Sequence, residues 1–127
     1  MANILIIDPE ERIRIRLSRL LERAGHEVRF APNGAAAERA VRNWTFDLAL
    51  TALALPDTNG LKLLRQLTAR VGWMRAIVFS TPNDPVLLRA RDEGVLAVLT
   101  LPLAESEVRE AVVQALAKPR PWGRHVA

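Results

Sequence analysis

The 127-residue sequence contains no cysteine and only two histidines, His26 and His125. Without cysteine there are no disulfides, thiolate zinc sites or cysteine nucleophiles. The two histidines lie far apart in sequence and form no metal-ligand spacing. No apolar run approaches the roughly 18 residues of a membrane span. The N-terminus also lacks a basic segment followed by an apolar stretch, so no membrane association is expected and the cytoplasm is the expected compartment. Lysine is scarce too, since Lys62 and Lys118 are the only lysines and the net charge of +4 is carried by arginine. A charge of that size without a concentrated patch or a reader motif gives little support to nucleic-acid binding. What is present, 50% hydrophobic and 25% charged residues, suits one globular domain with a real core.

The stretch from Phe46 to Gly60 organises the chain. Leu48 to Leu55 carries no charge, as in a central parallel strand covered on both faces. In open α/β sheets the ligand site lies just past the carboxyl end of such a strand. Here that place falls to Ala52, Leu53 and Ala54, which bear no functional group.

Around this stretch, strands and helices alternate. Asn3 to Ile7 reads as a first strand, and Asp8-Pro9-Glu10-Glu11 as the start of a helix. Ile13, Leu17, Leu20, Leu21 and Ala24 form its core stripe, and Gly25 ends it. Glu27 to Phe30 is a second strand, and Asn33 caps a helix from Ala35 to about Trp44. A third helix runs from about Gly60 to Ala69. Arg75 to Ser80 is a fourth strand, and Asp84-Pro85 opens a helix stopped by Gly94. Val95 to Leu99 is a fifth strand, and the last helix runs from about Glu105 to Ala117, with Ala104 a poor cap. The pattern predicts an α/β, flavodoxin-like (βα)5 doubly wound parallel sheet in three layers, with strand order 2-1-3-4-5. Residues 1–118 form the domain, and 119–127 form a tail on which Trp122 could fold back.

Ile4-Leu5-Ile6-Ile7-Asp8, Phe46-Asp47-Leu48 through Leu55-Pro56-Asp57-Thr58-Asn59-Gly60, Ser80, and Gly94 through Thr100 followed by Pro102 resemble the receiver domain of bacterial response regulators (CheY-like). The resemblance spans about Asn3 to Leu116. It implies an aspartate phosphorylated at the end of strand three and an acidic pair after strand one that holds Mg²⁺. It also implies a hydroxyl ending strand four and a lysine before a proline after strand five. Carried across, most of this set is missing. Asp8 keeps the first acid, but Pro9 replaces the second. Ala52 stands at the phosphoacceptor position, Ser80 keeps the hydroxyl, Leu101 replaces the lysine, and Pro102 remains. Val98 stands where the family has its switching aromatic. Removing a buried acid would strand a lysine, so an apolar residue at the lysine position fits the loss. The resemblance therefore implies a degenerate pseudo-receiver with no phosphoacceptor, no metal site, no cofactor and no catalytic residue.

Function is then expected on a surface, through a protein partner or self-association. By resemblance, one candidate is the face of the fourth helix, fifth strand and fifth helix, where Leu88 and Val113 point outward beside Arg91 and Arg109. The other is the stripe Arg12, Arg16, Arg19 and Arg23 on the first helix. It reads either as a solvated face partly neutralised by Glu10, Glu11 and Glu22, or as a docking surface for an acidic partner. A small molecule in the emptied pocket lined by Ala52, Ser80 and Leu101 is the alternative from a different class, followed by a basic nucleic-acid-associated regulator.

Overall fold

Short aliphatic runs place β1 (Asn3–Ile7), β2 (Glu27–Ala31), β3 (Leu48–Ala52), β4 (Ala76–Ser80) and β5 (Ala97–Thr100) in one parallel sheet of order β2-β1-β3-β4-β5. This is the expected flavodoxin-like order. The structure, a computed structural model, describes residues 1–72 and 74–118. The tail expected from 119 to 127, with Trp122, lies outside the described residues.

Alternation along the strands divides the core. Ile4, Ile6, Leu48, Leu50, Ile77 and Phe79 face one side, where they pack with α1 (Glu11–Arg23) and α5 (Glu105–Ala117). Leu5 and Ile7 face the other side beneath α2 (Gly34–Asn43) and α3 (Gly60–Val71). Ala49 and Val78 continue that side beneath α3 and α4 (Val86–Asp92). Every residue of β3 and β4 is buried, which is why these strands read as unbroken apolar runs.

The helix ends show local chemistry. Gly25 takes φ +93°, and the N–H groups of Gly25 and His26 reach back to the carbonyls of Glu22 and Leu21, which closes α1 with a glycine-dependent turn. Asn33 accepts the Ala36 N–H at 2.8 Å, and Asn59 accepts the Lys62 N–H at 2.8 Å, capping α2 and α3. Ala104 offers no side-chain cap to α5. Some boundaries differ from expectation. The third strand extends past Thr51 to Ala52, and the fifth covers Ala97 to Thr100 rather than Val95 to Leu99.

Candidate functional site at the carboxyl ends of the strands

Parallel register brings the ends of three central strands together. Ile7 lies opposite Thr51, Ala52 opposite Phe79, and Ser80 opposite Thr100. Ala52, the last residue of β3, is 7% exposed and belongs to the core beneath α1 and α5. Leu101 packs partly buried against that same core. Leu55, from the loop after β3, packs against this core and also against the core beneath α2 and α3. Apolar side chains therefore occupy the switch point of the sheet, where a doubly wound fold ordinarily places its polar chemistry. Thr51 donates from Oγ1 to the carbonyl of Ala52 at 2.9 Å.

The backbone here is tight. The Gly60 N–H bonds the Leu53 carbonyl at 2.9 Å. A Cβ built on Gly60 would collide with the carbonyl oxygen of Ala52 and lie 3.1 Å from Leu53 Cα. Only glycine lets α3 begin this close to the end of β3.

Asp8 is buried, and its Oδ1 accepts the Glu10 N–H at 2.7 Å. Burial pushes its carboxyl above the ordinary value, and the nearby Glu10 charge adds to this, while the Glu10 N–H and the Arg14 charge oppose it. Among the described residues, no group of three or more His, Cys, Asp and Glu gathers at metal-binding separation. Asp8 already has one oxygen engaged, Glu10 is exposed, and Ala52 supplies no side-chain oxygen. That donor set does not fit Mg²⁺, which wants closely placed carboxylate oxygens in octahedral geometry.

Ser80 donates from Oγ to Oδ2 of Asp84 at 2.7 Å, and Oδ1 of Asp84 accepts the Val86 N–H at 2.9 Å. The sequence marks Asp84 as a helix-start residue, but its contact with Ser80 appears only in the structure. A second carboxylate, in the loop Leu55 to Gly60, makes contacts that the sequence does not show. Asp57 accepts the Gly34 N–H at 2.9 Å and the Ala35 N–H at 3.0 Å, tying the loop after β3 to the start of α2. Those two backbone bonds hold its carboxyl below the ordinary value. The only sequence signal was the helix start predicted after Asn33, which leaves N–H groups in need of an acceptor.

The proposed surface residues do not form one patch. Leu88 is 74% exposed on α4 and Val113 is 67% exposed on α5. Glu105, Arg109 and Val113 follow one another at i+4 steps along one flank of α5. Glu105 on that flank lies 3.7 Å from Nε of Arg16. Val113 therefore sits toward the α1 side of α5, away from Leu88 and Arg91 on α4. Val98, the second residue of β5 and opposite Val78, is half-buried against the core beneath α4. On α1, Arg12, Arg16, Arg19 and Arg23 are all exposed, but Arg16 also donates to the Leu103 carbonyl at 3.0 Å. It fastens α1 to the loop after β5.

No helix among the described residues is long and apolar enough to cross a membrane. The family model for the response regulator receiver domain matches residues 4–113. The DNA-binding transcriptional regulator NtrC of Azospirillum brasilense is 34% identical over 116 residues, which cover 91% of this chain and 24% of NtrC. The chain thus spans about a quarter of the length of the NtrC relatives it matches. Protein PilH of Pseudomonas aeruginosa is 29% identical over 120 residues, covering 92% of this chain and 99% of PilH. A receiver domain protein of Clostridium thermocellum superposes with a TM-score of 0.84 at 27% identity, covering 91% of this chain and 94% of that one. With the fold, the strand order and most of its length matched by that family, the chain belongs to the response regulator receiver domains.

Proposed function

We propose that this receiver domain is a pseudo-receiver, one that is not phosphorylated on aspartate and signals by binding another protein. The observation that carries this reading is the packing of Ala52 into one core with Leu101 against it. By resemblance these are the positions of the nucleophile and of the phosphate's counter-charge. Phosphoryl transfer requires a nucleophilic oxygen and cations to offset the phosphate's charge, and neither side chain supplies either. Leu55, partly buried, packs against the cores on both sides of the sheet, and apolar packing of this kind works against a small molecule at the emptied position.

The test is incubation with acetyl phosphate, or with beryllofluoride and Mg²⁺, followed by intact mass and amide NMR spectra. Unchanged mass and spectra are expected. An adduct of one phosphoryl group on any aspartate, Asp8 and Asp57 included, would overturn the reading.

A further inference from the structure

The parallel sheet leaves β2 at an edge, since β2 pairs only with β1. The Glu27 N–H bonds the Ala2 carbonyl at 2.9 Å, and the Ala31 carbonyl accepts the Asp8 N–H at 3.0 Å. Backbone direction alternates along a strand, so Glu27, Arg29 and Ala31 turn their N–H and C=O groups toward β1. Val28 and Phe30 turn theirs to the open edge, and among the described residues no loop or turn bonds either of them. β5, the opposite edge, exposes only Thr100, whereas β2 exposes Glu27, Arg29 and Phe30. Folds ordinarily guard such an edge with proline, lysine or a covering segment. Here positions 27 to 31 hold neither proline nor lysine, and Phe30 is 54% exposed.

The side chains on this edge complement their own reverse. Glu27 and Arg29 lie opposite Asn3 and Leu5 of β1, so both stand on the α2 face of the sheet. The Arg29 guanidinium lies 3.8 Å over the Trp44 ring, which holds the charge by its face and leaves the N–H edge to meet a carboxylate. Among the described residues neither Glu27 nor Arg29 has a salt-bridge partner. Two copies set antiparallel about a two-fold axis through Val28 place Val28 opposite Val28 and Glu27 opposite the partner's Arg29. The Val28 pair then exchanges its outward N–H and C=O groups, and the flanking charges fall at the non-hydrogen-bonded positions, where side chains come closest. An axis moved one step to Arg29 would instead set two arginines against each other, so charge fixes the register.

We infer that the open edge of β2 pairs antiparallel with β2 of a second copy of this chain, joining two sheets into one through reciprocal Glu27–Arg29 contacts. The occupant is a second copy because Glu27-Val28-Arg29 is its own complement when reversed, as a two-fold interface requires. The contact is short, so the dimer is weak and reversible. It lies at the opposite edge of the sheet from β5, and so apart from the face of α4, β5 and α5. The inference goes beyond the pseudo-receiver reading, and a phospho-adduct that removed that reading would leave it as it stands.

The experiment is sedimentation equilibrium of the intact chain at concentrations up to about 1 mM, with Glu27→Arg, Arg29→Glu and an equimolar mixture of the two variants. The wild type should dimerise reversibly. Each variant alone sets like charges opposite one another, so its dimer Kd should rise about tenfold or more. The mixture should regain association, because each variant offers the charge that the other lacks. It also controls for folding, since a misfolded variant could not restore the contact. Amide exchange gives the local readout: the Val28 and Phe30 N–H groups should gain protection as concentration rises. A monomer at every concentration would leave the edge to some other chain and overturn the inference. So would a dimer that both single variants leave intact, a mixture that fails to associate, or dimerisation without protection of Val28 and Phe30.

Discussion

Asp84 joins the end of β4 to the start of α4 through one carboxylate, which takes the Ser80 hydroxyl on Oδ2 at 2.7 Å and the Val86 N–H on Oδ1 at 2.9 Å. Its own backbone carbonyl takes the Leu87 N–H at 3.1 Å. The helix it starts has seven residues and no cap from Pro85, so Asp84 is its principal N-terminal restraint. Asp84→Ala removes the cap and strands the nearly buried Ser80 hydroxyl. A loss of about 1–2 kcal/mol is expected, the range for a helix cap together with an orphaned hydroxyl. Urea melts should show it, along with faster amide exchange in α4 than in α3. Ser80→Ala keeps the cap and should leave α4 exchange nearly unchanged. Equal acceleration of exchange in the two variants would show that Ser80, and not the cap, restrains α4.

Ala52 lies in a core from which charge is excluded. Ala52→Asp places a carboxylate there without a cation, and a loss of roughly 2–4 kcal/mol at neutral pH is expected. Adding Leu101→Lys supplies the missing partner and should recover part of that loss, giving a coupling of about 1 kcal/mol or more in a double-mutant cycle. The combination of Pro9→Asp, Ala52→Asp and Leu101→Lys restores the acid, nucleophile and lysine positions of the family's pattern and should accept a phosphoryl group from acetyl phosphate. Additive losses in the cycle would mean that positions 52 and 101 do not meet.

How much of this was legible in the sequence depends on how far apart the interacting residues lie. The β3 run, Gly25 and the Asn33 cap were readable because their signals are local: burial on both faces, a residue tolerant of positive φ, and a side chain three positions from its N–H. The Asp57 contact joins residues 23 apart in sequence, and Arg16 reaches a carbonyl 87 residues away. No local periodicity encodes such pairs. The arginine stripe lies exposed along α1, and Glu22, three residues from Arg19, borders it by helical spacing while it also lines the crevice beside His26 and Trp44. Val113 was grouped with Leu88 because both point away from the core. Outwardness is shared by half of a helix surface, so it could not say which flank.

Gly60 tests the closeness of β3 and α3. Its Cβ position is blocked by the Ala52 carbonyl and crowded by Leu53 Cα, both backbone atoms that cannot rotate away. Gly60→Ala should cost about 2–3 kcal/mol, toward the upper end for overpacking, despite alanine's better helix propensity. Gly34→Ala is the useful contrast. Its new methyl would meet Thr58 Cγ2 at 2.8 Å, a side-chain atom that can turn aside, so a smaller loss is expected from the same chemical denaturation assay. A Gly60→Ala protein as stable as wild type would mean that α3 can move away from the strand end.

Asp8 and Asp57 should pull the pH dependence of stability in opposite directions. The Asp8 carboxyl is raised above 3.8 by burial, so its contribution is fully present below that pH and is lost as pH rises through the folded value. Asp8→Asn keeps an oxygen for the Glu10 N–H without a buried charge, and should gain stability at pH 7 while matching wild type near pH 3. The Asp57 carboxyl is lowered below 3.8 by the Gly34 and Ala35 N–H groups, so its contribution is present above that pH and is lost as pH falls through the folded value. Asn at position 57 has one acceptor oxygen and a donor amide, and cannot satisfy both N–H groups. Asp57→Asn should therefore lose stability at pH 7 and approach wild type in acid. Urea midpoints at pH 3, 4, 5.5 and 7 separate the two effects: both variants should diverge from wild type as pH rises, Asp8→Asn becoming more stable than wild type and Asp57→Asn less stable. Parallel curves for Asp8→Asn and wild type across this range would mean that the buried carboxylate carries no penalty, and that the end of β1 is wetter than its packing implies.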